Sequence, residues 1–122
     1  MKVLKAKNNT GTTEVSLSDI MFDEGKSVVD VAEHWAIFQK QRTMHFDIER
    51  NGLNNPIIVK QDGDVLRFAA SGCRIQYAVL NGYTHVDALL FDNDEAILAE
   101  MEKQRADDDS ILGSINALEG AK

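Results

Sequence analysis

Cysteine and proline are almost missing from this sequence of 122 residues, in which Cys73 and Pro56 are the only ones. A single cysteine excludes a disulfide within the chain, and it excludes a zinc site built from several of the chain's own cysteines. Aromatic residues make up only 7% of the sequence. We therefore expect Trp35, Phe38 and Phe46 to belong to the core rather than to a surface on which bases stack.

Long apolar runs and an excess of positive charge are also missing. No stretch of about 18 apolar residues and no basic segment leading into an apolar one occurs, so neither a membrane span nor a secretory signal is predicted. We expect a cytoplasmic protein. The net charge is -7, and residues 92–122 carry three Lys/Arg against nine Asp/Glu. Because duplex DNA binding by charge requires Lys and Arg gathered on one face, direct duplex DNA binding is disfavoured.

The length of 122 residues and the hydrophobic content of 43% predict one compact domain. The predicted elements are a strand near 15–20, helices at 28–41 and 43–51, strands at 57–60 and 65–69, a helix at 72–81, a strand at 86–91 and a helix at 94–105. Gly52 is expected to end the second helix, and Asp62-Gly63 is expected to form a hairpin turn. Residues 1–12 show no apolar periodicity and are expected to be a flexible lead.

Three short motifs follow one another in this order of elements. They are Gly52-Leu53-x-Asn55-Pro56-Ile57-x-Val59, then Ser71-x-x-Arg74, then Ala78-x-x-x-Gly82. With them the sequence resembles the N-terminal domain of ParB partition proteins and the related sulfiredoxin fold. The resemblance implies an α+β fold, a small mixed sheet with helices packed around it. The resemblance covers residues 13–107, with the lead before it and a short amphipathic helix at 108–122 after it. The helix-turn-helix domain of partition proteins is missing, so the chain resembles the stand-alone ParB-like proteins of phages and mobile elements.

The start of the helix predicted at 72 is the candidate ligand site. Peptide N–H groups at a helix start lack intrahelical partners, and a guanidinium offers two phosphate oxygens a planar fork. The residues alone leave open that Arg74 pairs with a surface carboxylate instead. The resemblance places Arg74 at the family's phosphate-contacting position, and it implies that Ser71, Gly72 and Cys73 line the phosphates. Ser71 stands where the family prefers glycine, and its hydroxyl could also cap the helix.

Other candidate residues come from the same resemblance. Asn55 matches a polar residue that can face a base or ribose in the family, and a turn-capping amide is the alternative. Glu102 and Arg105 resemble the end of the family's "ENxxR" helix, whose acid and arginine hold metal and phosphate, although here the spacing is one residue short. Glu102 and Glu49 are the candidate Mg²⁺ ligands, because this ion usually takes one or two carboxylates beside phosphate oxygens and water.

Cys73 invites comparison with sulfiredoxin, whose nucleophile lies in a "GCHR" motif. When the motif is aligned on Arg74, the nucleophile position holds Gly72, and Cys73 falls on the histidine. One residue turns a helical side chain by about 100°, so sulfiredoxin activity is not expected. A small buried apolar role for Cys73 is favoured. Two alternatives stay open for His45: it lines the pocket, or it lies on a solvated helix face.

Two functions are therefore predicted, from different classes. The first is a ParB-like nucleotide-binding domain that grips a nucleoside triphosphate with Mg²⁺ at the helix start after Ser71; NTP hydrolysis would need a catalytic residue, and the sequence identifies none. The alternative is a catalytically inert adaptor or inhibitor that binds a protein partner through its acidic C-terminal helices. Gln76, often arginine in the family, favours the alternative. The candidate surface for a partner or a second copy is an apolar stripe formed by Ile111, Leu112, Ile115 and Leu118.

Overall fold

The computed structural model describes the backbone of residues 1–120 and the side chains of residues 1–110. Its strands are β1 (Val3–Leu4), β2 (Thr13–Ser16), β3 (Ile20–Asp23), β4 (Lys26–Ser27), β5 (Ile57–Asp62), β6 (Val65–Phe68) and β7 (His85–Phe91). Its helices are α1 (Val28–Val31), α2 (Gln39–Asn51), α3 (Gly72–Leu80) and α4 (Asp94–Gly120), with short 3-10 turns at Leu17–Asp19 and Ala32–His34. Within these residues, no helix has both the length and the apolar composition needed to cross a membrane.

The strands form one mixed sheet, as the sequence predicts. β5 and β6 form an antiparallel hairpin whose turn contains Gly63 with a φ of +60°. β7 lies parallel to β5 and to β1 and antiparallel to β2, while β3 lies parallel to β6 and antiparallel to β4. α2 packs against α3, and α4 packs against α2, β5 and β7. The α+β class is thereby confirmed.

β5 shows why this sheet has a continuous core. Its first residues, Ile57, Ile58 and Val59, are all buried, which is typical of a strand covered on both faces. From the helical layer, Ile75 and Ala78 of α3 join them in the core. The helix start after Ser71 is thus placed at the end of β6, with the buried side of α3 fixed against the sheet.

The first 12 residues differ from their prediction as a flexible lead. β1 pairs with β7, and Leu4 and Ala6 are buried. The backbone N–H of Ala6 donates to Oδ2 of the buried Asp87 at 2.9 Å. Two apolar residues are too few to show a period, so this contact with a residue far along the chain was not visible in the sequence.

The helix predicted at 28–41 is also wrong in its extent. It is divided into α1, a 3-10 turn and an extended stretch before α2 begins at Gln39. The side chain of Gln76 donates to the carbonyls of Ala32 and Trp35 at 3.3 and 2.9 Å, so α3 satisfies acceptors that a continuous helix would have used itself. Phe38 and Phe46 are exposed rather than in the core.

The two helices predicted after residue 94 are one helix. α4 runs without a break through the boundary expected at residue 108, over a length of roughly 40 Å at 1.5 Å per residue. Two of the three aspartates at 107–109 make tertiary contacts that hold this part of α4 on the domain.

Candidate functional site

Local sequence places the start of α3 at the end of the hairpin. Ser71 precedes α3 with a φ of 71° and a ψ of 36°, and it is the non-glycine residue with positive φ in the described chain. Its carbonyl accepts the first helical hydrogen bond, from the N–H of Ile75 at 3.0 Å. A left-handed backbone at a residue with a side chain costs about 1 kcal/mol or more, so the surrounding structure must hold this turn in place.

Arg74 lies in the first turn of α3 and is almost completely buried. Its side chain is 7% exposed, and Nη2 donates to Oδ1 of Asp108 on α4 at 2.5 Å. Nη1 donates to Oε1 of Gln104 at 3.0 Å and to Oγ of Ser71 at 3.4 Å. The alternative left open by the sequence, pairing with a carboxylate, is what the structure shows. The carboxylate, however, is half-buried and belongs to α4.

A cleft of about 570 Å³ surrounds this ion pair. Its walls include the backbone and side chains of the predicted site, residues 71–74, together with Arg105 and Glu102 of α4. Lys40 of α2 adds a further cation, which the sequence analysis missed because it lies at the exposed start of a helix. The structure therefore brings most of the predicted phosphate site together in one place.

Burial raises the pKa of two groups in this cleft. It raises the pKa of Asp108 above its ordinary value, although the Arg74 guanidinium acts in the opposite direction. It also raises the pKa of the Cys73 thiol, which outweighs the lowering by nearby Lys40 and Arg74. Cys73 therefore stays a neutral thiol near pH 7, and this favours the apolar role over that of a nucleophile.

Asn55 does not line this cleft but a second one, of about 490 Å³. The Asn55 side chain is buried; its Nδ2 donates to Oδ2 of Asp107 at 3.0 Å, and its Oδ1 accepts from Nδ2 of Asn8 at 2.9 Å. Residues of α4 contribute to both clefts, and Gln104 lines both. α4 thus separates the two parts of the site that the resemblance places around one ligand.

Gln104 is a site residue that the sequence analysis did not identify. It is 4% exposed, and its Nε2 donates to the Pro56 carbonyl at 3.3 Å while its Oε1 accepts from Arg74. Gln104 lies seven residues after the buried Ile97, so it occupies a core position on the helix face. A polar residue at such a position was the available signal.

The two candidate Mg²⁺ ligands lie in different surroundings. Glu102 lines the Arg74 cleft, is 75% exposed and lies 3.6 Å from Nη1 of Arg105. Glu49 does not line that cleft; its carboxylate accepts a hydrogen bond from the hydroxyl of Tyr77, whose pKa is raised by burial and by that bond. Among the side chains described, no three His, Cys, Asp or Glu groups are arranged to hold a metal ion.

His45 is half-buried beside the helix start, and its Nε2 donates to the carbonyl of Cys73 at 3.0 Å. Its ring also packs edge-on against Tyr77. The solvated helix face expected as one alternative is therefore wrong for His45, which instead fixes α2 against the first turn of α3.

We expect the stability to fall as the pH drops through about 6.5, the ordinary pKa of histidine. Burial lowers the pKa of His45 in the folded chain, and the hydrogen bond to Cys73 only partly opposes this. The unfolded chain therefore takes up the proton first, so this contribution is fully present above pH 6.5 and is lost below it. Urea unfolding at about pH 5.5 and about pH 7.5 measures the difference.

The matched controls for this prediction are two histidine variants. His45→Gln should reduce the difference between the two pH values, whereas His34→Gln should preserve it because the His34 side chain is 74% exposed. Equal pH dependence in wild type and His45→Gln would contradict the assignment.

Comparison with solved structures shows which fold this arrangement belongs to. The chain is similar to sulfiredoxin from Arabidopsis thaliana with a TM-score of 0.52, over 73% of this chain and 93% of that chain. This is the ParB/sulfiredoxin-like fold. The sequence identity is 16%, so this similarity shows that the two chains share a fold, and it does not show that they bind the same ligand. Neither models of protein families nor a search of curated proteins produced a match.

Proposed function

We propose that this domain binds a phosphate-bearing ligand, a nucleoside triphosphate with Mg²⁺, in the cleft at the start of α3. One observation carries the proposal: the buried guanidinium of Arg74 opens on this cleft and already holds an oxyanion, the carboxylate of Asp108. Carboxylate and phosphate oxygens offer the same acceptors to an arginine fork. A cytoplasmic location accompanies the proposal as a prediction from the sequence.

The charges and the backbone around Arg74 suit such a ligand. Lys40 and Arg105 line the same cleft, which gives it cations from α2 and α4 as well as from α3. The peptide N–H groups of Gly72 and Cys73 precede the first helical hydrogen bond, which Ile75 donates to Ser71, so they have no acceptor within the helix. Glu102 at the rim could join an Mg²⁺ ion held by the phosphates and water, whereas Glu49 is outside this cleft.

Calorimetric titration with CTP, ATP, ADP and inorganic triphosphate in Mg²⁺ tests the proposal. We expect binding that Arg74→Lys weakens about tenfold, because lysine keeps the charge but loses the planar fork. Lysine is preferred to alanine here because alanine would leave Asp108 and Gln104 without their partner. Arg67→Lys is the matched control, since Arg67 pairs with Asp62 and lines neither cleft.

Two results would contradict the proposal. One is the absence of heat with all four ligands. The other is equal affinity of wild type and Arg74→Lys, which would place any binding elsewhere. Phosphate release can be measured in the same samples. Release that is lost in Glu102→Gln would support hydrolysis assisted by that carboxylate, and no release would leave a binding domain.

A second candidate function, an adaptor or inhibitor that binds a protein partner, is favoured by the same ion pair. Asp108 already occupies the fork of Arg74, and Leu98 and Met101 of α4 are exposed. The side chains of residues 111–118, which form the predicted apolar stripe, are not among those that the structure describes. Light scattering of wild type and of Ile111→Ser/Ile115→Ser tests whether this stripe joins two copies. A single-chain mass for the wild type would contradict a homodimer.

A further inference from the structure

We propose that the part of α4 from Gln104 to Asp108 is an autoinhibitory strap, which a ligand must displace to reach Arg74. This inference rests on the proposed function and adds its regulation. The name strap is used below for these five residues; because Arg105 is one of them, Arg74 and Lys40 are the cations of the cleft that stay in place for the ligand when the strap is displaced. They contact both clefts, and they cover the groups to which the sequence analysis assigned the ligand.

The first observation is that the strap supplies an oxyanion where the phosphate is expected. Asp108 binds Nη2 of Arg74, and Gln104 binds Nη1. Both outer nitrogens of the fork therefore have partners on α4. A phosphate that takes over these contacts at Nη1 and Nη2 must first displace Asp108.

The second observation is that Asp107, the neighbour of Asp108, is hydrogen-bonded to a buried residue of the second cleft. Oδ2 of Asp107 accepts from Nδ2 of the buried Asn55, while Gln104 also donates to the carbonyl of Pro56. Because Asp107 and Asp108 project to different sides of one helix, α4 cannot turn away from Arg74 without loosening its contact with Asn55. The strap is therefore held as a unit.

The third observation concerns what holds the strap down. Along the described part of α4, Ile97 is the last buried apolar residue, and Gln104 is the buried residue beyond it. Leu98 and Met101 between them are exposed. Among the side chains described up to residue 110, release of the strap thus exchanges polar contacts and uncovers little apolar surface, which makes it a low-cost opening compared with unfolding of the core.

These contacts predict how affinity should change when the strap is loosened. If only the open form accepts ligand, the apparent dissociation constant is the intrinsic one divided by the open fraction. A variant that removes a charged hydrogen bond of the strap should then raise the apparent affinity by about tenfold, and a weaker contact should raise it by roughly threefold.

The experiment is a titration of the full chain with inorganic triphosphate and with CTP in Mg²⁺. We expect Asp108→Asn to bind about tenfold more tightly than wild type, and Asp107→Asn roughly threefold more tightly. Asp107 does not line the Arg74 cleft, so its effect can reach Arg74 only through movement of the strap. Glu95→Gln, which removes a charge from the exposed start of α4 outside both clefts, should bind like wild type.

Hydrogen exchange supplies a second readout on the wild-type chain. Saturation with ligand should lower the protection of the amides from 104 to 110, because the strap leaves the domain. Unchanged or increased protection there would overturn the strap, whatever the affinities of the variants.

The possible outcomes distinguish a failure of the strap from a failure of the proposed ligand binding. Tighter binding in Asp108→Asn without a change in Asp107→Asn would mean local competition at Arg74, and it would overturn the strap. Binding that is equal in wild type and both variants would also overturn the strap while the proposed function stands. No binding by any of the proteins would overturn both.

Discussion

Replacing Ile75 by alanine should lower the free energy of unfolding by about 3 kcal/mol, which is typical of removing a fully buried isoleucine side chain. Ile75 is 0% exposed and lies in the main core cluster with residues of β5 and β7. The helix face that carries Ile75 packs on the sheet. The cavity left by the substitution therefore cannot close unless α3, which carries Arg74, moves. Urea unfolding monitored by circular dichroism measures the change.

The matched control is Leu80→Ala at the other end of the same helix. The Leu80 side chain is 45% exposed, so its loss should cost about 0.5 kcal/mol. If both variants lost the same free energy, α3 would not be anchored through Ile75 as described.

Replacing Gln76 by alanine should lower the free energy of unfolding by about 3 kcal/mol as well, for a different reason. Gln76 is 1% exposed, and its Nε2 bonds the carbonyls of Ala32 and Trp35. Alanine removes both hydrogen bonds and leaves a void, and a buried acceptor without a partner costs about 1–3 kcal/mol. The same urea experiment measures this loss.

Gln39→Ala is the control for this substitution, since Gln39 is exposed at the start of α2 and should change stability by less than about 0.5 kcal/mol. A loss below about 1 kcal/mol in Gln76→Ala would contradict the role of its amide in the break before α2. The sequence analysis took Gln76 as a missing basic residue of the ligand site. The structure shows instead that it supports the backbone.

Local patterns were sufficient for the hairpin of β5 and β6 and for α3. Each of these depends on neighbours in sequence, such as the Asp62-Gly63 turn and the alternation of apolar residues. The resemblance located the fold correctly at the motif around Arg74. The resemblance also grouped residues 71–74 and Arg105 in one phosphate site, and in the structure these residues line one cleft.

The missed features depend on contacts between distant residues. The break between α1 and α2 is stabilised by Gln76, and the first residues of the chain are anchored by Asp87. Nothing nearby in sequence shows that the partners of Asp107 and Asp108 are Asn55 and Arg74. Helical periodicity can mark a core-facing position such as Gln104, but it cannot reveal which distant residues are the partners of a polar side chain.

The position of β7 in the sheet has a consequence for how the chain folds. β7 begins at His85, yet its partners include β1 at Val3 and β2 at Thr13, which lie some seventy to eighty residues earlier. During synthesis, β1 and β2 have no hydrogen-bonding partner until β7 has left the ribosome. Closing such long loops is slow, so we expect assembly of this edge to limit the folding rate rather than formation of the helices.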